Sequence, residues 1–486
     1  MPTHSLARWL FLRALGAVYL VAFLSLWVQI AGLIGSRGIL PAASLLEWVG
    51  ARTGPERYRA LPTLFWLFPT DAGLHLLCGG GAVLSVLLIL GIAPMPVLFL
   101  LWVFYLSLVT VGQDFLGFQW DGLLLEVGLL AVFLAPPGLR PRMPTESPVP
   151  PPALWLLRWL LFRLMFTSGA VKLRSGDPAW RGLTALRVHY ETQPLPTWIG
   201  WIAHHLPGRL HAASTLLMFV IELAVPFLIF GPRPLRLAAC VMMAGLQLMI
   251  AATGNYGFFN LLTLVLCLLL LDDGVFPARW REWMGVPAAD EPWTSWSSLA
   301  VAPLALVVAV TSAIQIAGAV GLQVRWPRPM AALYRAVAPL RTFNPYGLFA
   351  VMTTSRPEIL IEGSRDGADW RPYAFRWKPG DPRQRPGFVA PHMPRLDWQM
   401  WFAALGSCED SPWFQAFVGR LLEGSPPVVG LLARDPFPEG PPRFIRSTLH
   451  DYRFTDVKTL RADGTWWRSR PMGPFCSTMT AAAEGP

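Results

Sequence analysis

Lysine is nearly missing from this sequence of 486 residues: it occurs only at Lys172, Lys378 and Lys458, and arginine supplies the rest of the positive charge. Charge of either sign is sparse, because Asp, Glu, Lys and Arg make up 14% of the chain, whereas soluble domains contain about a quarter. This composition excludes an ordinary soluble protein. The formal charge of +10 comes without a basic stripe or a nucleic-acid motif, so no nucleic-acid partner is predicted. The arginines lie in loops and near predicted helix ends, which favours anionic lipid headgroups as partners.

Several kinds of site motif are also missing. The sequence has no phosphate-binding glycine loop, nucleophile elbow or haem-attachment motif, and its cysteines show no metal-ligand spacing. It therefore predicts no metal and no cofactor. Three of the five cysteines lie in apolar stretches, which leaves Cys408 and Cys476 able to pair if they face an oxidising compartment. The apolar N-terminal stretch lacks a small-residue cleavage site, so we expect a retained first span.

Long apolar runs are what the sequence has in abundance, since 53% of its residues are hydrophobic. A spanning helix needs about 20 apolar residues. Segments of about that length lie at 14–35, 72–93, 94–112, 153–171, 209–231, 235–252 and 298–321. Two shorter segments, 120–136 and 256–272, are also credible spans. We therefore expect a polytopic α-helical membrane bundle of about nine spans.

The composition changes after Gln323, where apolar runs become short and broken by Pro, Gly, Arg and Asp. Alternation predicts strands at 357–364, 370–377 and 443–455, and helical spacing predicts helices at 397–406 and 413–424. The sequence thus predicts two domains. These are a transmembrane helical domain at 1–324 and an extramembrane, strand-containing α+β domain at 325–486.

A count of nine spans also predicts which loops share a side of the membrane. The loops at 113–119, 172–208 and 253–255 then lie on the same side as the C-terminal domain. The opposite side receives arginine pairs: Arg140 with Arg142, Arg233 with Arg236, and Arg279 with Arg281. Cytoplasmic loops are rich in arginine, so these pairs favour a cytoplasmic opposite side, although the arginines of the first loop favour the reverse.

Acidic residues in apolar segments are costly in a membrane and mark functional or tightly paired sites. Asp121 directly precedes an apolar run, where a helix N-terminal cap is the favoured interpretation. Glu126 and Glu222 lie too deep for caps and need partners; for Glu126 we expect Lys172 or an arginine across the bundle. With nearby loop residues they form a predicted polar cluster at the membrane face: Gln113, Asp114, Asp121, Glu126, Lys172, Arg174, Asp177, His189, Tyr190, Glu191, Glu222 and Asn255.

Lys172 is the only lysine of the predicted membrane part, in the stretch GAVKLRSGDPAW. A desolvated lysine at a helix end can act as a general base, which makes Lys172 the candidate catalytic residue. It can instead lay its stem along lipid and hold its ammonium among the headgroups. A third interpretation is a polar cluster with Glu126 or Glu222, and the sequence leaves all three open.

Long stretches in this order resemble the lipase maturation factor family: GQDFLGFQWDGLLLEVGLLA, SGAVKLRSGDPAWRGLTALRVHYETQPLPT, NYGFFNLLTL, YGLFAVMTTSRPEILIEGSRDGADWRPYAFRWKPGD and APHMPRLDWQMWFAALG. The resemblance implies a polytopic membrane protein that helps dimeric secreted lipases fold and assemble, so that membrane lipids and a secreted client are its partners. It also implies the endoplasmic reticulum membrane, or the plasma (inner) membrane if the arginine-rich chain is bacterial. The C-terminal domain is then lumenal or periplasmic, and its expected client contacts are Trp370, Trp377, His392, Arg395, Asp397 and Trp398.

A looser resemblance suggests an alternative. AVKLRSGDPAW, IELAVPFLIF and NYGFFNLLTL are similar to stretches of the vitamin K-dependent gamma-glutamyl carboxylase family, in which a lysine is thought to act as base. The alternative is a membrane enzyme that uses Lys172 on a lipid or quinone-like cofactor. That family has two adjacent lysines, whereas Leu173 follows Lys172 here. We therefore carry over architecture rather than chemistry and favour a maturation factor over an enzyme.

Overall fold

The computed structural model describes residues 3–141, 148–285 and 296–481. Its long apolar helices are α1 Ser5–Trp27, α2 Asp71–Leu90, α3 Pro94–Val111, α4 Gln119–Leu134, α5 Pro151–Arg174, α6 Gly208–Leu223, α7 Arg233–Thr253, α8 Phe259–Cys267 and α9 Trp296–Val320. Two of them, α6 and α8, continue as the 3₁₀ helices Val225–Phe230 and Leu268–Leu270. Short helices occupy the loops: Ile30–Ile34, Ala42–Thr53, Arg57–Ala60, Pro178–Arg181, Ala185–Thr192, Trp198–His204 and Ala278–Trp283.

Seven of these helices are long and apolar enough to cross a membrane, namely α1, α2, α3, α5, α6 with its extension, α7 and α9 from Val301. The chain is therefore a multi-pass membrane protein. The predicted count of about nine spans is not confirmed, because α4 has 16 residues and α8 with its extension runs only from Phe259 to Leu270. Both shorter helices bury most of their side chains against the rest of the protein.

The first helix begins at Ser5, well before the predicted start of the first span at residue 14. A distant carboxylate accounts for the difference. Asp273 accepts the backbone N–H groups of Ser5 at 2.8 Å, Leu6 at 2.9 Å and Ala7 at 3.3 Å. The first N–H groups of a helix have no partner within it, and a negative charge there also favours the helix dipole. This cap lies too far along the chain to be recognised from local sequence.

One end of the bundle, which we call the domain side, carries the C-terminal domain. Three loops meet that domain there: the carbonyl oxygens of Phe115 and Pro194 accept from Arg395 at 2.7 Å and Arg356 at 2.8 Å, and Asn255 accepts from Val389 at 2.7 Å. These are the loops that the count of spans assigned to one side. Of the arginine pairs predicted for the opposite side of the membrane, Arg233 and Arg236 bind Asp272 at the other end of the bundle. Arg142 lies outside the described residues.

The C-terminal domain contains a four-stranded antiparallel sheet in the order β2-β1-β3-β4, with β1 Pro357–Ser364, β2 Arg371–Pro372, β3 Phe444–Phe454 and β4 Trp467–Thr480. Its other helices are α10 Arg328–Val337, α11 Arg395–Ala404 and α12 Pro412–Leu422, with the short helices Pro426–Val429 and Val457–Asp463. The predicted strand at 370–377 is reduced to two residues. The N–H groups of Trp377 and Lys378 bind the Asp397 carboxylate instead of a neighbouring strand, each at 2.9 Å.

After α10 the chain passes back into the bundle. Thr342 accepts from Trp102 of α3 at 3.1 Å, and the Phe343 carbonyl accepts from Gln315 of α9 at 3.0 Å. Tyr346 then reaches Glu126 of α4. Residues 342–346 therefore fill a groove among these three helices. The domain limits 1–324 and 325–486 remain a prediction.

Cys408 and Cys476 form a disulfide that joins the loop after α11 to β4, with Cα atoms 5.5 Å apart. The bond closes a loop with a sequence separation of 68, and cross-links of that length contribute about 4 kcal/mol in the chain-entropy account. Cys78, Cys240 and Cys267 are free and buried in the bundle.

Replacing Cys476 with Ser should lower the free energy of unfolding of the C-terminal domain by about 2–4 kcal/mol, because the open loop gains conformational entropy when it unfolds. The urea dependence of protease resistance, followed on the C-terminal fragment of the full chain, measures this change. Cys78→Ala, which removes a free thiol from α2, is the control and should leave that resistance unaltered. Equal losses in both variants would contradict a stabilising disulfide.

Candidate functional site

A buried ion pair joins the bundle to the C-terminal domain. Arg395, the first residue of α11, donates through Nη2 to Asp121 Oδ1 at 2.7 Å and through Nη1 to Oδ2 at 2.9 Å. The hydroxyl of Tyr105 in α3 donates to the same carboxylate at 2.5 Å. The two charged side chains are 1% and 0% exposed. Two parallel charge-assisted hydrogen bonds fix distance and direction together, so this pair sets how α11 lies over α4.

The capping interpretation of Asp121 is wrong. Helix α4 begins at Gln119, its N-cap is Phe118, and no side chain caps it. Asp121 lies in the first turn, where its carboxylate points to Arg395 across 274 positions of sequence. Sequence reasoning detected the cost of burying this carboxylate, but a local pattern contains no signal for so distant a partner.

Glu126 forms a second buried pair, deeper in the bundle. Arg163 of α5 donates to one carboxylate oxygen, and the Tyr346 hydroxyl donates to the other at 2.6 Å. Gln315 of α9 accepts from Arg163 Nη1 at 2.7 Å. One carboxylate thus connects α4 and α5 with the returning segment 342–346. Of the two kinds of partner expected for Glu126, the structure has the arginine.

Lys172 lies in the last turn of α5 with its side chain 7% exposed, and its Nζ donates to both carboxylate oxygens of Glu222 in α6 at 2.8 Å. The ring of Trp180 lies 5.6 Å from Nζ. Gly169 lets the two helices approach, because a Cβ there would lie 2.8 Å from the Leu223 side chain and 3.0 Å from Glu222 Cβ. The ammonium is therefore held between helices and not among headgroups.

The loop between α5 and α6 binds the sheet. Glu191 accepts the backbone N–H of Phe454 at 2.7 Å and a guanidinium N–H of Arg453 at 2.9 Å, both at the end of β3. Arg356, just before β1, donates to the carbonyl oxygens of Glu191 and Pro194, each at 2.8 Å. These bonds hold the two central strands against the domain side of the bundle.

Asn255 and Asp177 hold irregular segments of the C-terminal part in the same way. Asn255 accepts the N–H groups of Val389 at 2.7 Å and Ala390 at 3.0 Å. Asp177 accepts the N–H of Met352 at 2.6 Å. Each side chain satisfies backbone groups that have no partner in a helix or a sheet.

His189 lies near the Lys172–Glu222 pair but carries no charge at neutral pH. Its burial, assisted by the positive charge of Lys172, lowers its pKa from 6.5 to about 4. Its Nε2 lies 3.1 Å from the Tyr256 hydroxyl. The other predicted residues make peripheral contacts or none: Arg174 donates to the Gly318 carbonyl, Gln113 donates to the Leu40 carbonyl, Tyr190 lies beside the ring of His211, and Asp114 is exposed.

The predicted polar residues therefore do not form one cluster. They divide into separate ion pairs within the bundle and a ring of contacts to the C-terminal domain. Among the described residues no group of three or more His, Cys, Asp or Glu side chains is placed to hold a metal ion. Chemically, this arrangement binds elements together and fixes their orientation.

The six predicted client contacts differ in exposure. Arg395, Asp397 and Trp398 are buried, so in this structure they cannot touch a client. Burial raises the pKa of the Asp397 carboxyl, which nonetheless binds backbone N–H groups, and Trp398 packs edge-on against the ring of Trp120. The interpretation of these three residues as client contacts is corrected to a structural role. Trp377 is 41% exposed, Trp370 is half-buried, and His392 lies 2.9 Å from the Ser25 hydroxyl.

An exposed surface that sequence reasoning missed surrounds Trp377. We call it the tryptophan–arginine surface and define it by Trp198, Trp377, Arg385, Phe388 and Trp466. The Arg385 guanidinium lies 5.0 Å from the ring of Trp198 and 6.0 Å from that of Trp466, and Phe388 meets Trp198 edge-on. A groove of about 120 Å³ beside it is lined partly by Trp377 and Arg385. Tryptophan and arginine dominate the binding energy of protein interfaces.

Comparison with known proteins agrees with the two-part organisation. The family model of the lipase maturation factor transmembrane domain matches residues 6–278, and that of the lipase maturation factor C-terminal domain matches residues 342–477. Lipase maturation factor 2 of Homo sapiens is 40% identical over 98% of this chain and 83% of its own length. The chain belongs to the lipase maturation factor family. The resemblance predicted from the sequence motifs is thereby confirmed.

Other members of the family show the same extent of similarity. Lipase maturation factor 2 of Gallus gallus is 38% identical over 97% of this chain and 81% of its own length. Lipase maturation factor 1 of Bos taurus is 36% identical over 97% of this chain and 89% of its own length. No solved structure matches the chain. Asp121 lies in the match to the family's transmembrane domain and Arg395 in the match to its C-terminal domain, so their ion pair connects the two family domains.

Removing one partner of this pair should destabilise the chain strongly. Asp121→Asn leaves the Arg395 charge buried without a counter-charge, and we expect a loss of about 3–5 kcal/mol in the free energy of unfolding. Arg395→Met leaves the Asp121 carboxylate buried without a counter-charge and should lower the free energy of unfolding by as much. Urea unfolding of the purified full chain, followed by tryptophan fluorescence, measures both losses.

The matched control is the half-exposed pair of Arg446 and Glu362, whose Nε–Oε2 distance is 2.7 Å. Arg446→Ala should cost at most about 1 kcal/mol, because water screens the charge that remains. The double variant Asp121→Asn/Arg395→Met removes both charges and should recover part of the loss. Similar small costs at both pairs would contradict the argument that burial makes the first pair decisive.

Proposed function

We propose that this protein is a membrane-anchored maturation factor that assists the folding and assembly of a secreted, lipase-like client. The observation that carries the proposal is the whole-length similarity to proteins named lipase maturation factor, which includes both the membrane part and the C-terminal domain. The geometry supports binding over catalysis, because the buried polar groups are used to hold the C-terminal domain at a fixed position.

We further propose the tryptophan–arginine surface as the place where the client binds. Four of its side chains already contact one another: the Arg385 guanidinium lies against the rings of Trp198 and Trp466, and Phe388 packs against Trp198. Little side-chain entropy is therefore lost when a partner covers them. Trp377 is the member of the predicted client contacts that lies on it and is 41% exposed. An unfolded or unassembled client presents apolar segments that rigid aromatic side chains can bind without a defined sequence.

The alternative, a membrane enzyme with Lys172 as its base, gains no support from the site. Both oxygens of Glu222 accept from the Lys172 Nζ at 2.8 Å, so the contact with Glu222 holds this nitrogen between two helices. A basic role would first require this pair to separate. Lys172→Arg keeps the charge and the contact with Glu222, so it distinguishes a structural cation from a catalytic amine.

The function is tested in cells that secrete a lipase from the same source organism and lack the endogenous copy of this chain. The readout is secreted lipase activity per amount of lipase protein. We expect the double variant Trp377→Ala/Phe388→Ala to reduce maturation at least about tenfold, since two interface aromatics each contribute about 1–2 kcal/mol. Trp283→Ala is the matched control, because Trp283 is 83% exposed but lies in the short helix after α8.

Lys172→Arg belongs in the same assay and should mature the lipase as the unaltered chain does. Loss of maturation with a folded Lys172→Arg protein would favour the enzyme. Secretion of fully active lipase in the absence of the chain would refute the maturation function itself. Full maturation by Trp377→Ala/Phe388→Ala would refute only the proposed surface.

The topology that we propose has nine passages through the membrane, with the C-terminal domain in the lumen or periplasm. Two observations support it. The short helices α4 and α8 begin on the domain side, near Asp121 and Asn255, and the extension of α8 reaches the opposite end, where the Leu270 carbonyl accepts from Arg236. The disulfide of the C-terminal domain favours an oxidising compartment. The membrane is that of the endoplasmic reticulum in an animal cell and the inner membrane in a bacterium.

Topology is tested with single cysteines in a variant whose own free cysteines are replaced. A cysteine at Arg187, in the loop between α5 and α6, should react with a membrane-impermeant maleimide from the lumenal or periplasmic side. A cysteine at Leu139, in the loop after α4, should react only from the cytoplasm. Labelling of both positions from the same side would exclude the passage of α5 that separates them.

A further inference from the structure

The stretch that links the last spanning helix to the sheet has an unusual charge. Residues 321–355 contain no Asp, Glu or Lys, but they contain four arginines, at Arg325, Arg328, Arg335 and Arg341. The charge of this stretch is therefore +4, on a chain in which most buried arginines are paired with carboxylates. So local an excess of one sign indicates an anionic partner outside the chain.

Within the described residues these four guanidinium groups have no carboxylate partner. Arg325, Arg328 and Arg335 are exposed, and Arg341 is half-buried. In the part of the chain that the structure describes, one hydrogen bond involves any of these guanidinium groups, and it is internal, from Arg335 Nε to the Ala331 carbonyl at 3.3 Å. Their donors are thus available to an external anion. By contrast, Arg163 and Arg395 are paired with carboxylates inside the fold.

The position of the stretch identifies the kind of anion. Helix α9 ends at Val320, and α10 begins at Arg328, so the arginines follow directly on a helix that can span a membrane. Between them Leu322 is 63% exposed and Val324 46% exposed. Exposed apolar residues next to exposed arginines, at the end of a span, fit the boundary between acyl chains and headgroups.

Helix α10 is also strongly amphipathic. Met330, Leu333, Tyr334 and Val337 recur at helical spacing on one side, and Arg328 and Arg335 lie on the other. Tyr334 of the apolar side lines a cleft with Gly318 and Ala319, in the last turn of α9. The apolar side of α10 therefore faces the C-terminal end of α9, and its arginines point away from the bundle.

We propose that residues 322–341 form a binding site for anionic phospholipids on the domain side. The arginines bind the lipid phosphates through charge-assisted hydrogen bonds, while Leu322, Val324 and the neighbouring Trp326 lie at the acyl boundary. The site anchors the start of the C-terminal domain to the lipid surface. It does not depend on the identity of the client.

The test uses the purified full chain in detergent and native mass spectrometry, which gives the dissociation constant of the first bound phosphatidylglycerol and, separately, of phosphatidylcholine. In the triple variant Arg325→Gln/Arg328→Gln/Arg335→Gln the constant for phosphatidylglycerol should rise at least about fivefold, since a single arginine near an anionic surface contributes about that factor. The constant for phosphatidylcholine should not change. Replacement of the same residues by Lys keeps the charge and should retain most of the affinity.

The matched control removes the same charge elsewhere: Arg383→Gln/Arg434→Gln/Arg461→Gln alters three exposed arginines of the C-terminal domain. It should leave the phosphatidylglycerol constant unaltered, and an equal rise in both triple variants would overturn the site in favour of net charge alone. An unchanged constant in the first triple variant, with thermal unfolding like that of the parent chain, would also overturn it. The lipid site would also be overturned if the first triple variant bound lipid normally but no longer matured the lipase, because the arginines would then contact the client.

Discussion

The paired hydrogen bonds between Asp121 and Arg395 are the contact on which the arrangement of the two domains depends. Each charge would be expensive to bury alone, and among the described residues neither forms another ion pair. The pair therefore fixes the position of α11 along the bundle. A shift of α11 by one turn would leave both charges buried without a counter-charge. Glu191 and Asn255 then add directional bonds around it, each to backbone groups of the C-terminal domain.

The acidic residues buried in the membrane bundle hold its elements together in the same way. Glu126 fastens the returning segment 342–346 through Tyr346, and Glu222 fastens α5 to α6 through Lys172. Each carboxylate joins elements that are far apart in sequence. Because apolar helices slide past one another with little change in buried area, such polar contacts supply the specificity that lipid-facing packing lacks.

The sequence was informative where a local pattern carries the signal. Apolar length predicted the long spans, and alternation predicted β1 and β3 within a residue or so of their ends. It failed where a partner lies far along the chain: Asp121 looked like a cap, and α1 was placed too late because Asp273 supplies its N-terminal acceptor. Strand β4 carried no alternation to recognise, since Pro471 and Pro474 interrupt it. The tryptophan–arginine surface was missed for a related reason, because Trp198 and Trp377 come from different domains.

The acceptor that Asp273 provides to α1 also orders events during synthesis. The helix that leaves the ribosome first lacks this carboxylate acceptor for its leading N–H groups until residues more than half a chain later have been made. The first turn of α1 therefore gains its acceptor only after α8 has been made, and this contact joins the first helix of the bundle to the loop between α8 and α9. A chain that stops before Asp273 lacks the carboxylate that caps its first helix.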